Sequence, residues 1–346
     1  TRDQIVESEL SYLSNYQRVI INSGKISNKG WEISVSGVPV KVKNFEWKTI
    51  FNWSKNNSMV ESLPEGIDKI QIGSGVYNVK SYAEVGKPYG AIYAKTFKRD
   101  AEGYILCQLD GSPKEGQDYE YLGCVQADWR GGWNNVFRLG NFSFSVMFDF
   151  QKGGKFFSQT SIQSSVDGQS VKSLEGRDAD FFSRKILGES DEERYGFMRP
   201  QNANTPTANG QIYPDWGRPK GVVLPNCRYD EDVEGLAGQQ VLGYCTPERY
   251  WMHYTSRDIS RFIYDASYVK LREITVSYDL PKKWLRKTPF QTFRVAAVGR
   301  NIATLFANTP HGLDPQATST TGNAQGFERG FNLPSATYGF DIKVSF

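Results

Sequence analysis

The chain has 346 residues, a formal net charge of +3 and 14% aromatic side chains, with a mean hydropathy of −0.52. So balanced a charge excludes nucleic acid as the expected partner, and no apolar run approaches the ~20 residues of a membrane-spanning helix. A membrane β-barrel remains open, because its strands carry only every second residue into lipid.

The opening TRDQIVESEL has no features of a secretory leader and reads as internal sequence. The first expected strand pair is WEISVSGVPV with FEWKTIFNWSKNN; in the second, Phe45, Trp47, Phe51 and Trp53 share a face and Glu46, Lys48, Asn52 and Ser54 lie opposite. A polar segment rich in Gly, Pro, Ser and Asp follows, from about Lys55 to Ala127. The second pair is DWRGGWNNVFRLG and NFSFSVMFDF, with a turn at Leu139, Gly140 and Asn141. Here Phe142, Phe144, Val146, Phe148 and Phe150 form an apolar face backed by Ser143, Ser145, Met147 and Asp149. A second long segment runs from Gly153 to Ala266. The third pair is SYVKLREITVSYDL and FQTFRVAAVGRNIATL, whose alternation slips at Arg272 and Glu273 in the manner of a β-bulge. After a third long segment, from about Phe306 to Ala336, YGFDIKVSF places Tyr338, Phe340, Ile342, Val344 and Phe346 on one face.

Connections thus alternate short and long, which is the signature of an outer-membrane barrel with tight periplasmic turns and long outer loops. The fold expected is all-β: a transmembrane antiparallel barrel wall of seven strands in this chain. Seven is odd, and a closed bacterial barrel has an even count, so the chain is expected to be the C-terminal part of a larger barrel. The competing reading is a secreted or surface β-sandwich that binds glycans without transport, with the aromatic rows as its core.

Groups that carry chemistry are sparse. His253 and His311 lack metal-ligand spacing. The acidic run Asp230, Glu231, Asp232 and Glu234 does not match a calcium loop; a solvated surface is the default and a structural Ca2+ the minor alternative, with no other cofactor expected. Cys107, Cys124, Cys227 and Cys245 all fall in expected outer loops. An oxidising envelope permits disulfides, the local pairings 107 with 124 and 227 with 245 being the economical choice and reduced thiols the alternative. No nucleophile has a base partner, so no enzyme is expected.

GKISNKGWEISVSGVPVKVKNFEWKTIFNWSKNN, YLGCVQADWRGGWNNVFRLGNFSFSVMFDFQKGG, YDASYVKLREITVSYDLPKKWL, VGRNIATLF, GLDPQ and LPSATYGFDIKVSF together resemble SusC-type TonB-dependent transporters of Bacteroidetes across essentially the whole chain. The resemblance implies that residues 1–346 are the C-terminal portion of a plugged barrel of about 22 strands in the cell outer membrane. The plug and the N-terminal strands would lie outside this chain. It further implies a SusD-like surface lipoprotein as partner, TonB acting through the missing N-terminal part, membrane lipid around the wall, and oligosaccharide cargo, or peptide in some members. Beside that likeness, the loop aromatics Tyr119, Tyr121, Trp216, Tyr250 and Trp251 are suited to stacking on sugar rings. Asn209, Arg218, Arg228 and Tyr229 supply hydroxyl-binding groups in the longest loop; the alternative for each of these residues is that it packs the loops together or against the lipoprotein partner.

Overall fold

The computed structural model describes residues 2–9, 18–174, 222–245, 247–310, 312–317, 325–330 and 335–346. In chain order the strands are β1 (Arg2–Glu9), β2 (Arg18–Val42), β3 (Phe45–Ser62), β4 (Lys69–Ser74), β5 (Lys80–Glu84), β6 (Ala91–Ala94), β7 (Ile105–Cys107), β8 (Glu120–Cys124) and β9 (Trp129–Leu139). They continue with β10 (Phe142–Lys152), β11 (Lys155–Ser158), β12 (Val222–Tyr229), β13 (Gln240–Cys245), β14 (Ile263–Asp265), β15 (Tyr268–Asp279), β16 (Thr292–Ala307), β17 (Phe327–Glu328) and β18 (Thr337–Ser345). The helix α1 (Gln159–Val166) follows β11 and is capped by the Ser158 side chain, which accepts from the Ser161 N–H.

One sheet of eight strands, ordered β1-β2-β3-β9-β10-β15-β16-β18, forms the wall, with every neighbour antiparallel. The seven expected strands are all present. The eighth, β1, and the early start of β2 at Arg18 were not legible, because Asn22, Ser23, Lys25 and Asn28 interrupt the apolar alternation there. Tight turns close one end: Lys43–Asn44, then Gly140–Asn141, where Gly140 adopts φ +57°, and 280–291, which holds a helical turn at Lys282–Leu285. The Gly140 N–H donates to the Asn44 carbonyl at 2.8 Å and ties the first two turns together. All three long connections leave from the opposite end.

The register answers which solvent the phenylalanines face. Trp47, Phe137, Phe144, Val276, Ala297 and Phe340 lie in one row across six strands. Trp47 stacks on Phe137 at 5.9 Å and Phe137 on Phe144 at 6.1 Å. No second sheet of the described residues covers this row: Phe142 is 57% exposed, Tyr338 75% and Phe340 86%. A sandwich core would enclose them, so the β-sandwich expectation is corrected. Polar groups occupy the other face. No helix of the described residues is long and apolar enough to cross a membrane.

The bulge falls at Arg272. Met147 pairs with Glu273 and Phe148 with Leu271, leaving Arg272 without a register partner, while Asn301 on β16 bulges opposite it with φ +54°.

The described parts of the long connections are folded. They carry a four-stranded sheet β4-β5-β6-β8 and two three-stranded sheets, β13-β12-β7 and β14-β11-β17. Two apolar cores hold this lobe together. One gathers Phe97, Cys107, Val222, Cys227, Tyr229, Tyr250 and Trp251. The other joins Val79, Ile92, Phe157, Ile162, Ile259, Phe262 and Phe327, contributed by all three connections.

Candidate functional site at the lumenal mouth

Where the wall meets the lobe, three cavities of about 380, 270 and 600 Å³ adjoin one another. Arg130 borders all three, and Asp149 borders the first and the last. Both belong to the polar face: Arg130 is opposite Gln151, and Asp149 opposite Gly132 and Lys270. Alternation explains this placement, since Asp149 and Gln151 share the parity of Ser143 and Ser145 on β10, and Arg130 on β9 is the register partner of Gln151.

The polar side chains hold one another in fixed positions. The Arg272 guanidinium, freed by the bulge, pairs with Asp149 and donates to Gln316 Oε1 at 2.8 Å and to Asn301 Oδ1 at 3.1 Å. Tyr268 donates to Asp149 at 3.3 Å, and Arg130 Nε donates to Gln151 Oε1 at 3.0 Å. Lys270, only 1% exposed, donates to both Asp314 oxygens at 2.5 and 2.6 Å and to Gln316 Oε1 at 2.9 Å. The GLDPQ segment is thereby fastened to β15, with the Gln316 N–H donating to Asp314 Oδ1 at 2.8 Å. Amide groups of Gln151, Gln316 and Gln325 line the first cavity. Such a surface offers charges of both signs and amide donors and acceptors to a polar ligand in the lumen.

The loop residues proposed from sequence fall elsewhere. Tyr229, Tyr250 and Trp251 are 3%, 1% and 1% exposed inside a lobe core, so protein occupies the ring faces that a sugar would need. Arg228 stacks over Tyr104 at 3.9 Å and pairs with Asp100 at 3.0 Å and Glu102 at 2.9 Å, which makes it a clamp within the lobe. Asn209, Trp216 and Arg218 lie outside the described residues. Tyr119 lies under the Lys80 ammonium at 4.6 Å and Tyr121 under Lys87 at 4.6 Å.

The acidic run is also accounted for within the protein. Asp230 accepts from Lys98 at 2.9 Å, Lys114 at 2.8 Å and the Glu231 N–H at 2.9 Å, and Lys114 also pairs with Asp232. Two ammonium groups therefore stand against Asp230, where the minor calcium alternative would have put the ion. Burial acts to raise the Asp230 pKa, but the lysine hydrogen bonds outweigh it and hold the carboxyl at about 2. Neither local cysteine pairing is formed: all four residues are reduced thiols in the structure, and in the β12–β13 ladder Cys227 lies opposite Val241 and Cys245 opposite Val222. Cys107 is hydrogen-bonded to Cys227, which together with burial raises its pKa well above the ordinary thiol value. Cys124 sits in another sheet.

The signal for this polar cluster was present in the sequence as charges on the polar parity of strands (Arg130, Asp149) and as the slip at Arg272. What the sequence could not show was that GLDPQ folds back onto β15.

A lipid-facing aromatic row, a polar inner face, tight turns at one end and a folded lobe at the other define the wall of an outer-membrane β-barrel. Known proteins agree. TonB-dependent receptor P3 of Formosa agariphila is 23% identical over 360 residues, covering 98% of this chain and 30% of that receptor. TonB-dependent receptor P39 of the same organism is 20% identical over 206 residues, or 45% of this chain. No family model matches the sequence. Among solved structures, the RagAB peptide transporter aligns over 100% of this chain and 32% of its own, with a TM-score of 0.57 and 14% identity. The RagAB peptide importer in its closed-closed state gives 0.58 and 16%. The chain is thus similar to TonB-dependent receptors of the outer membrane and spans about 30% of the length of the P3 relative.

Proposed function

We propose that this chain forms wall and outer lobe of a TonB-dependent importer, and that its cargo is peptide. The observation that carries the reading is Arg130 at the junction of three lumenal cavities, beside the Asp149–Arg272 pair and the amides of Gln151, Gln316 and Gln325. Peptide backbones and their charged termini are matched by charges of both signs and by amides, whereas sugars favour exposed aromatic platforms. The rings of Tyr229, Tyr250 and Trp251 are enclosed. The RagAB neighbours are peptide transporters by their own description, in keeping with this choice.

Oligosaccharide cargo is the second reading, favoured by Trp129 beside Asn56 and Gln126 in the cavity of about 270 Å³. In either case the whole importer includes a SusD-like lipoprotein over the mouth. It also needs strands outside this chain, because among the described residues β1 and β18 each have one neighbour and an unpaired strand edge is not tolerated in hydrocarbon. TonB would act through a plug that likewise lies outside these residues.

The test is to purify the receptor with its lipoprotein from outer membranes and titrate it separately with a peptide pool and an oligosaccharide library. Peptide binding that weakens in Arg130→Gln is the expected result. Saturable binding of oligosaccharides alone overturns the peptide reading, and uptake that persists without TonB overturns the importer.

A further inference from the structure

Three cysteines share one core of the lobe, and import makes no use of them. Cys107, Cys227 and Cys245 are 0%, 0% and 2% exposed. β7 and β12 pair in parallel, with Ile105 opposite Cys227 and Cys107 opposite Tyr229. Alternation puts Cys107 and Cys227 on the same face of this ribbon, and the two thiols are hydrogen-bonded. β12 is kinked here, and the Cys227 thiol also donates to the Leu224 carbonyl at 3.2 Å. Asn226 adopts φ +59° at a break in the β12–β13 register between Leu224 and Cys227. The Cys227 sulfur is folded back over Gly243, where a Cβ would come within 2.5 Å of it. Glycine at 243 is thus required for the sulfur to sit there. Cys124 is excluded from the group: on β8 its Sγ donates to the Tyr89 carbonyl and accepts from the Gln126 N–H, both at 3.4 Å.

We propose that Cys107 and Cys227 are joined by a disulfide in the exported protein, stapling the connection between β3 and β9 to the connection between β10 and β15. The oxidant is a protein disulfide of the cell envelope. Its S–S bond is attacked by one cysteine thiolate to give a mixed disulfide, which the second thiolate resolves; the Cys107–Cys227 bond forms, and the oxidant leaves as two thiols holding both electrons and both protons. Because both sulfurs are fully buried in the finished lobe, oxidation precedes its closure, and the bond is then shielded from reductants. The loop closed spans 120 residues, from 107 to 227, and a cross-link over such a span removes a large part of the unfolded chain's freedom.

The intact receptor, taken from outer membranes without reductant and quenched with N-ethylmaleimide, is digested and mapped by mass spectrometry. The expected result is one linked peptide pair containing Cys107 and Cys227, released by dithiothreitol, with Cys124 and Cys245 carrying the maleimide. Maleimide on both Cys107 and Cys227, or a link to Cys124 or Cys245 instead, overturns the proposal. Cys107→Ser and Cys227→Ser are each expected to raise proteolysis of the lobe by roughly 30-fold or more, with Cys124→Ser unchanged. Should either serine variant fail to reach the membrane, the map of the unaltered protein still decides.

Discussion

Lys270 and Asp314 offer the sharpest test of how the mouth is held. Lys270 is 1% exposed and has three acceptors: both Asp314 oxygens, at 2.5 and 2.6 Å, and Gln316 Oε1 at 2.9 Å. Asp314→Ala removes two of the three and with them the only full negative charge that Lys270 bonds among the described residues. It also releases the Gln316 N–H, which donates to Asp314 at 2.8 Å, and so disturbs the Arg272 contact with Gln316. Breaking one partner of a buried pair costs about 3 to 5 kcal/mol, because the remaining charge has no water to return to. The double change Lys270→Met with Asp314→Leu replaces the pair by apolar groups of similar bulk and is expected within about 1 kcal/mol of the unaltered protein. The two substitutions should therefore couple by at least about 2 kcal/mol. Urea unfolding in detergent micelles, followed by tryptophan fluorescence, reads this as a lower midpoint at constant slope for the single variant and its recovery in the double. A single variant costing under about 1 kcal/mol, or a double no better than the single, would refute the reasoning.

Three further outcomes are expected. Phe144→Arg on the lipid face should cost roughly 2 to 4 kcal/mol in vesicle refolding, while Ser145→Arg, one residue on and facing the lumen, should cost well under that; equal costs would remove the assignment of faces. Asp230, at about 2 in the folded lobe against an ordinary 3.8, contributes stability that is complete above about pH 4 and lost as pH falls through about 2. The loss reaches about 2 kcal/mol, and Asp230→Asn should abolish this part of the acid dependence in chemical denaturation. Arg130→Gln should weaken cargo binding about tenfold with unchanged melting, and calorimetry on the purified complex checks it.

Much of the wall could be read from period-two patterning, because lipid selects every second residue and the lumen selects the rest. The NFSFSVMFDF strand and the Arg272 slip are both legible for that reason. The lobe was not. Its strands are short, as with AIYA at Ala91–Ala94, where all four residues are buried and no alternation exists to be seen. The loop residues proposed from sequence lie apart from the polar cluster for a related cause. Tyr250 and Trp251 are as aromatic as ligand platforms, and composition does not distinguish a ring that stacks on cargo from one enclosed with Cys107 and Val222. Only the folded return of residues 312–316 to β15 shows where polar groups converge.

The lipid face contains two polar side chains that patterning alone would call errors, Thr49 and Asn135, and they explain how the register is kept. They sit directly opposite each other on β3 and β9. Trp47 Nε1, on β3, donates to Asn135 Oδ1 at 3.0 Å, and Trp133 Nε1, on β9, donates to Thr49 Oγ1 at 2.9 Å. Each strand thus lends an indole N–H to a polar group of the other. Asn135 is 3% exposed beneath this arrangement, so its amide is kept from the hydrocarbon. Packing of phenyl rings is nearly indifferent to small sliding, but these two bonds are directional. A slip of β9 by one residue would turn Trp133, Asn135 and Phe137 toward the lumen and leave the Trp47 indole N–H and the Thr49 hydroxyl without these partners in lipid, each costing free energy that no aromatic contact returns. Polarity in the wall is therefore what keeps the apolar row facing outward, and the same register sets Arg130, three residues before Trp133, at the head of the lumen.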